Sequence, residues 1–169
     1  MGWLLRKLRG LRWLKLGLGG DMHIINIEER FKDNAHKVRK KVIWHWTASS
    51  TAKSAIDWLD QRNNGEGTVA YNYIIDKNGD TYMLGNPKNT FFHNSGLGTS
   101  YDKDTISISL VSRGKKDSFT EAQIESSKRL YSILKGLYKI ELMTHHADIN
   151  EHKQDFPKHI WKDFKSKLI

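Results

Sequence analysis

Not one of the 169 residues is cysteine. A fold made from this chain has no disulfide to hold it, so it must close around an apolar core. Any metal site must be built from histidine and carboxylate. The chain is long enough for one domain with a true interior, and 38% of it is apolar. We expect a single α/β domain: a central mixed β-sheet with helices packed on its faces.

Charge is unevenly placed. Of 28 lysines and arginines, five (Arg6, Lys7, Arg9, Arg12 and Lys15) fall within residues 1–20, which hold no acid; the other 23 are set against 19 acids. The opening "MGWLLRKLRGLRWLKLGLGG" has only Trp3-Leu4-Leu5 as its longest apolar run, too short for a membrane span or for the uncharged stretch of a signal peptide. Helical spacing puts Trp3, Leu4, Leu8, Leu11 and Leu14 on one arc, with Lys7 and Lys15 intruding. Trp3 and Trp13 among cations are the residue types that settle at an anionic interface, so a membrane or lipopolysaccharide is the expected partner. Leucine and tryptophan are too dense for a nucleic-acid arm. "GLGG" reads as a flexible joint and Met22 as the start of ordinary sequence. We expect an engineered fusion: residues 1–20 an appended peptide that resembles antimicrobial peptides in composition, residues 22–169 the catalytic domain. Without a signal peptide, synthesis in the cytoplasm is expected.

Beyond Met22, helical and strand periods alternate. "KVIWHWTAS" (41–49) is β-rich. "SSTAKSAIDWLDQR" pairs a Ser or Thr cap with Ala52, Ala55, Ile56 and Leu59 at helical spacing. "TVAYNYIIDKNGDTYML" is two strand-like runs around Asn78-Gly79, a hairpin signal. A calcium loop there fails, because the glycine comes too early and Pro87 stands where a glutamate is needed. "TISISLVS" (105–112) alternates Ile106, Ile108 and Leu110 as a strand. "FTEAQIESSKRLYSILKGLYK" is an amphipathic helix opened by a Thr120/Gln123 capping box, with Ile124, Leu130, Ile133, Leu134, Leu137 and Tyr138 as its stripe. "IELM" reads as a short strand, and "IWKDFKSKL" as a closing helix on Ile160, Trp161, Phe164 and Leu168. Trp58 and Tyr131 read as core residues.

Zinc without cysteine needs three histidine or carboxylate ligands and an open position for water. The stretch "MTHHADINEHKQDFP" (143–157) supplies histidine and carboxylate about ten residues apart. The other half should be a lone histidine held on a rigid element elsewhere, and His45, between Trp44 and Trp46 in a β-rich run, fits. Taken singly, these are equally a solvated loop and a core histidine. Their order along the chain is what distinguishes them.

Four stretches, read together, resemble the zinc-dependent N-acetylmuramoyl-L-alanine amidases, the group that includes small phage endolysins and the peptidoglycan recognition proteins. "VIWHWTAS" resembles the family's first-ligand strand and implies His45 as a ligand. "VAYNYIIDKNGDTYML" resembles its hairpin and implies Tyr71 as the active-site tyrosine. "FFHNSGLG…DTISISLV" implies His93 as a substrate contact. "THHADINEHKQDFP" resembles the closing loop and implies Lys153 as an oxyanion partner and Asp155 as the carboxylate ligand. The family's usual gap to the lysine points back to His145, whereas its His-x-Asp phrase falls on His146-Ala147-Asp148. We take His145 as the ligand and His146 as the alternative. The resemblance implies Zn²⁺ in a shallow surface cleft, and hydrolysis of the amide between N-acetylmuramic acid and L-alanine in bacterial peptidoglycan. We expect a monomer acting on the cell wall. A non-catalytic peptidoglycan-binding module and a membrane-active protein are the alternatives.

Overall fold

The computed structural model describes residues 24–26, 39–61, 71–85, 104–114, 117–153, 155–156 and 158–169. The cationic segment 1–20, its glycine joint and His93 lie outside the described residues. In chain order the elements are β1 (Ile24–Asn26), β2 (Lys41–Trp46), α1 (Ala52–Gln61), β3 (Tyr73–Ile75), β4 (Thr81–Met83), β5 (Thr105–Leu110), α2 (Glu121–Leu137), β6 (Leu142–His145), α3 (His146–Ile149) and α4 (Lys158–Leu168).

The strands form one mixed sheet in the order β1-β4-β3-β5-β2-β6. Among the described residues only the β3–β4 hairpin is antiparallel; the other neighbours run parallel. Strand β5 is central and buried along its whole length, as a strand covered on both faces must be. On one face Val42, Trp44, Tyr73, Ile75, Ile106 and Ile108 pack against α2 and α4, with Trp44 edge-on to Phe164 at 5.0 Å between ring centroids. On the other, Ile74 packs with Leu84, Val111 and the Ala52, Ala55, Ile56 and Leu59 side of α1. The short edge strand β1 has no counterpart in the sequence reading, since three residues carry too little periodicity to register.

Local signals became tertiary joints. Thr120 and Gln123 form the expected capping box: the Gln123 N–H donates to Thr120 Oγ1 and the Thr120 N–H to Gln123 Oε1, each at 3.1 Å. The same two side chains also fasten the helix to the sheet. Thr120 Oγ1 donates to the Lys77 carbonyl at 2.7 Å, and Gln123 Nε2 donates to the carbonyls of Ile75 (3.2 Å) and Val111 (3.0 Å). Thr51 and Ser54 cap α1 reciprocally, and its Ala52 N–H is accepted by Asp76 of the hairpin at 3.0 Å. Two side chains depart from expectation. Trp58 is 56% exposed, because it stands off the Ala52–Ala55–Ile56–Leu59 stripe. Leu137, the last residue of its helix, is likewise exposed.

Gly79 has φ +89, and a Cβ there would lie 2.9 Å from Ser126 Oγ and 3.0 Å from the Ala122 carbonyl oxygen. The turn is thus open to glycine by conformation and by contact with α2. Gly136, on the exposed side of α2, faces open space. Gly79→Ala should lower stability by about 2 kcal/mol or more, and Gly136→Ala should raise it by about 0.5–1 kcal/mol. Urea unfolding monitored by circular dichroism would read both.

Candidate metal centre

Three side chains from distant segments converge: His45 at the end of β2, His146 at the first position of α3, and Asp155 on the loop before α4. His45 Nδ1 lies 3.1 Å from His146 Nδ1 and 3.1 Å from Asp155 Oδ2, and His146 Nδ1 lies 3.2 Å from that same oxygen. Both histidines are buried; Asp155 is half-buried and forms the more open side. Protons serve such a triangle poorly. If both Nδ1 atoms carry hydrogens they can donate to Asp155 but crowd one another; if only one does, the other nitrogen's lone pair still faces a carboxylate oxygen; and if neither does, all the lone pairs oppose. A cation satisfies all three atoms at once. Zinc bonded at about 2.0–2.1 Å in tetrahedral geometry separates its ligand atoms by about 3.3–3.4 Å, close to the 3.1–3.2 Å edges here. Two neutral nitrogens and a carboxylate oxygen suit that ion.

The sheet register explains which histidine of the pair takes part. In the parallel β2–β6 ladder Trp44 pairs with His145. Paired residues share a face, and faces alternate along a strand. His145 therefore lies on the Trp44 side, wholly buried and stacked on Trp161 with ring centroids 5.1 Å apart. One residue on, His146 comes to the His45 side, where the two rings sit 4.5 Å apart. The expected His145 gives way here to its alternative. The strand also runs to His145 instead of ending in "IELM", so one histidine closes the strand and the next opens a helix.

A family model for N-acetylmuramoyl-L-alanine amidase matches residues 34–160. The chain belongs to that family. No curated protein matches it in sequence. Among solved structures it is similar to the N-acetylmuramoyl-L-alanine amidase LysC from Clostridium intestinale URNW, with TM-score 0.65 and 18% identity over 86% of this chain and 96% of that one. It is similar to the ectodomain complex of peptidoglycan recognition proteins LCa and LCx bound to tracheal cytotoxin (TM-score 0.69, 17% identity, 85% and 95% covered). It is also similar to peptidoglycan recognition protein LE in complex with tracheal cytotoxin, a monomeric diaminopimelic acid-type peptidoglycan (0.65, 16%, 80% and 85%). At these identities the likeness is one of fold.

Other residues of this amidase-family domain fall around the cluster. The Tyr71 ring lies 5.3 Å from that of His45 and packs on the α1 layer. Lys153 is half-buried two residues before Asp155, in a turn closed by its N–H to the Asn150 carbonyl at 2.9 Å. Sequence reasoning passed over Phe156. It is fully buried at φ +62, and it sends its ring into the core beside an aspartate that faces the other way. The Phe-Pro pair closing the loop was its only signal.

Burial above all holds the His45 imidazole below its ordinary 6.5, against the opposing pull of Asp155. Burial alone would raise the Asp155 carboxyl, but its hydrogen bonds with His146 and His45 outweigh that and hold it well below the usual carboxylate range. A neutral imidazole and an ionised carboxylate are the states a metal requires. The signs for stability agree. The unfolded chain protonates His45 near 6.5 while the folded one resists, so the unfolded state binds more protons as pH falls through that value, and stability drops. Asp155 acts in the same direction at lower pH. The zinc-free domain should therefore lose urea resistance between pH 7.5 and 5.5, and His45→Gln should flatten that slope.

Proposed function

We propose that the domain is a zinc-dependent hydrolase of the amide between N-acetylmuramic acid and L-alanine in peptidoglycan. The observation that carries this reading is the triangle of His45, His146 and Asp155 in a chain of the amidase family. These three would hold the ion, which when bound supplies Lewis acidity and lowers the pKa of a water molecule to about 7. The chain's own groups do the rest. Asp155 would offset one of the ion's two positive charges and leave the centre electrophilic. The Tyr71 hydroxyl and Lys153 ammonium are donors of the type that receives negative charge growing on the amide oxygen. His93 would contact the substrate. The solved complexes of recognition proteins with tracheal cytotoxin support a peptidoglycan fragment as the ligand.

Asp155→Ala should weaken zinc binding at least about 10–100-fold and abolish release of new L-alanine amino termini from purified peptidoglycan. Tyr71→Phe should keep zinc and lower kcat about 10–1,000-fold. An Asp155→Ala protein that clears peptidoglycan at the wild-type rate would sink the mechanism. Tight wall binding by the wild type, with no new amino termini, would make it a binding module instead.

Residues 1–20 we assign to an anionic membrane or lipopolysaccharide, through Trp3, Trp13 and the five cations. They would bring the hydrolase to the wall from outside the cell. Their deletion should leave hydrolysis of purified peptidoglycan unchanged and weaken killing of whole Gram-negative cells; equal killing would count against the assignment.

A further inference from the structure

His145 stands outside the metal triangle, yet it is wholly buried, and its hydrogen-bond partner belongs to the loop that carries Asp155. Its Nδ1 lies 2.5 Å from the carbonyl oxygen of Phe156. A carbonyl only accepts, so Nδ1 carries the hydrogen and donates it. The ring plane is set by stacking on Trp161 at an interplanar angle of 24°. Its Nε2 lies 3.1 Å from Asp148 Oδ1, at an angle that makes no hydrogen bond.

Phe156 needs such an anchor. A non-glycine residue at φ +62 costs about 1–3 kcal/mol and persists only where its surroundings over-determine it. Two groups of contacts do so. The Phe156 ring is held among Phe119, Phe164 and Trp161 at centroid distances of 5.0, 5.1 and 5.6 Å, and its carbonyl is held by His145. The reversed backbone sends the ring to one side and the adjacent Asp155 carboxylate to the other, against His45 and His146. The two consecutive histidines thus grip one loop from opposite faces of the sheet.

We propose that His145 is a positioning residue for the metal centre: through the Phe156 carbonyl it holds Asp155 at ligand distance. This rests on the zinc reading above. Three variants separate donor from bulk. His145→Phe keeps a ring against Trp161 and loses the donor. His145→Asn offers an amide N–H near the place of Nδ1–H. His145→Gln is polar, but it reaches to the place of Nε2 instead.

Zinc affinity would be measured by chelator competition, and ligand geometry by the visible absorption of the cobalt-substituted protein, with folding checked by circular dichroism. The Phe and Gln variants should lose about 10–100-fold in zinc affinity, the range for removing a group that orients a ligand, and should lose cobalt absorption. The Asn variant should stay within about threefold of wild type, since it restores the hydrogen bond that orients the loop. In an Asp155→Ala background, His145→Phe should cost nothing further. If the Phe variant does not fold, the contrast of Gln with Asn decides. A wild type that binds zinc while Phe or Gln matches it, or an equal loss without Asp155, overturns this inference alone. A wild type that binds no zinc overturns the metal reading, and this inference with it.

Discussion

Trp44 lies beside His145 across the β2–β6 ladder, and that registration governs which histidine faces His45. Side chains alternate between the faces of a strand, so a slip of one residue would exchange every partner. The register is held at both ends. The Lys40 carbonyl accepts from Glu141 and Leu142, while Met143 and His145 go into the aromatic core beneath the sheet. His146 then arrives on the His45 side without adjustment, at the start of a one-turn helix closed by the Asn150 N–H to its carbonyl.

The third member of the triangle depends on a different constraint. Asp155 sits on a loop, where exposed backbone alone would leave it free to move. The buried Phe156 ring and the donor from His145 remove that freedom and hold the carboxylate beside two buried imidazoles. The aromatic core and the metal centre are therefore one mechanical unit. The two histidines of the triangle are 101 residues apart, and a site assembled from such distant segments does not exist in the unfolded chain. A metal held by this triangle would accordingly couple its binding to folding.

Legibility followed the range of the interaction. The Thr120 capping box and the Ile124–Leu130–Leu134 stripe read correctly because the contacts that define them lie within a few residues. The Asn78-Gly79 turn read correctly because few residues other than glycine adopt its backbone conformation. Trp58 did not, since size and apolarity say nothing of which side of a helix meets the sheet. The His145–His146 choice did not, because it turns on the register between strands about a hundred residues apart, and the apolar pattern of "IELM" is consistent with either.

By itself the sequence determined that the fold would be α/β, that a cysteine-free site must use histidine and carboxylate, and that His45 and the 143–157 stretch were the candidates for such a site. Composition and local periodicity suffice for the first two, and the resemblance of four ordered stretches to one family supplies the third. Only the tertiary structure decided that His146 faces His45, that His145 turns into the core to hold Phe156, and that Asp155 completes the triangle. Each of these depends on strand register and on a backbone reversal stabilised by distant aromatic rings. Such constraints arise only when segments remote in sequence are packed together.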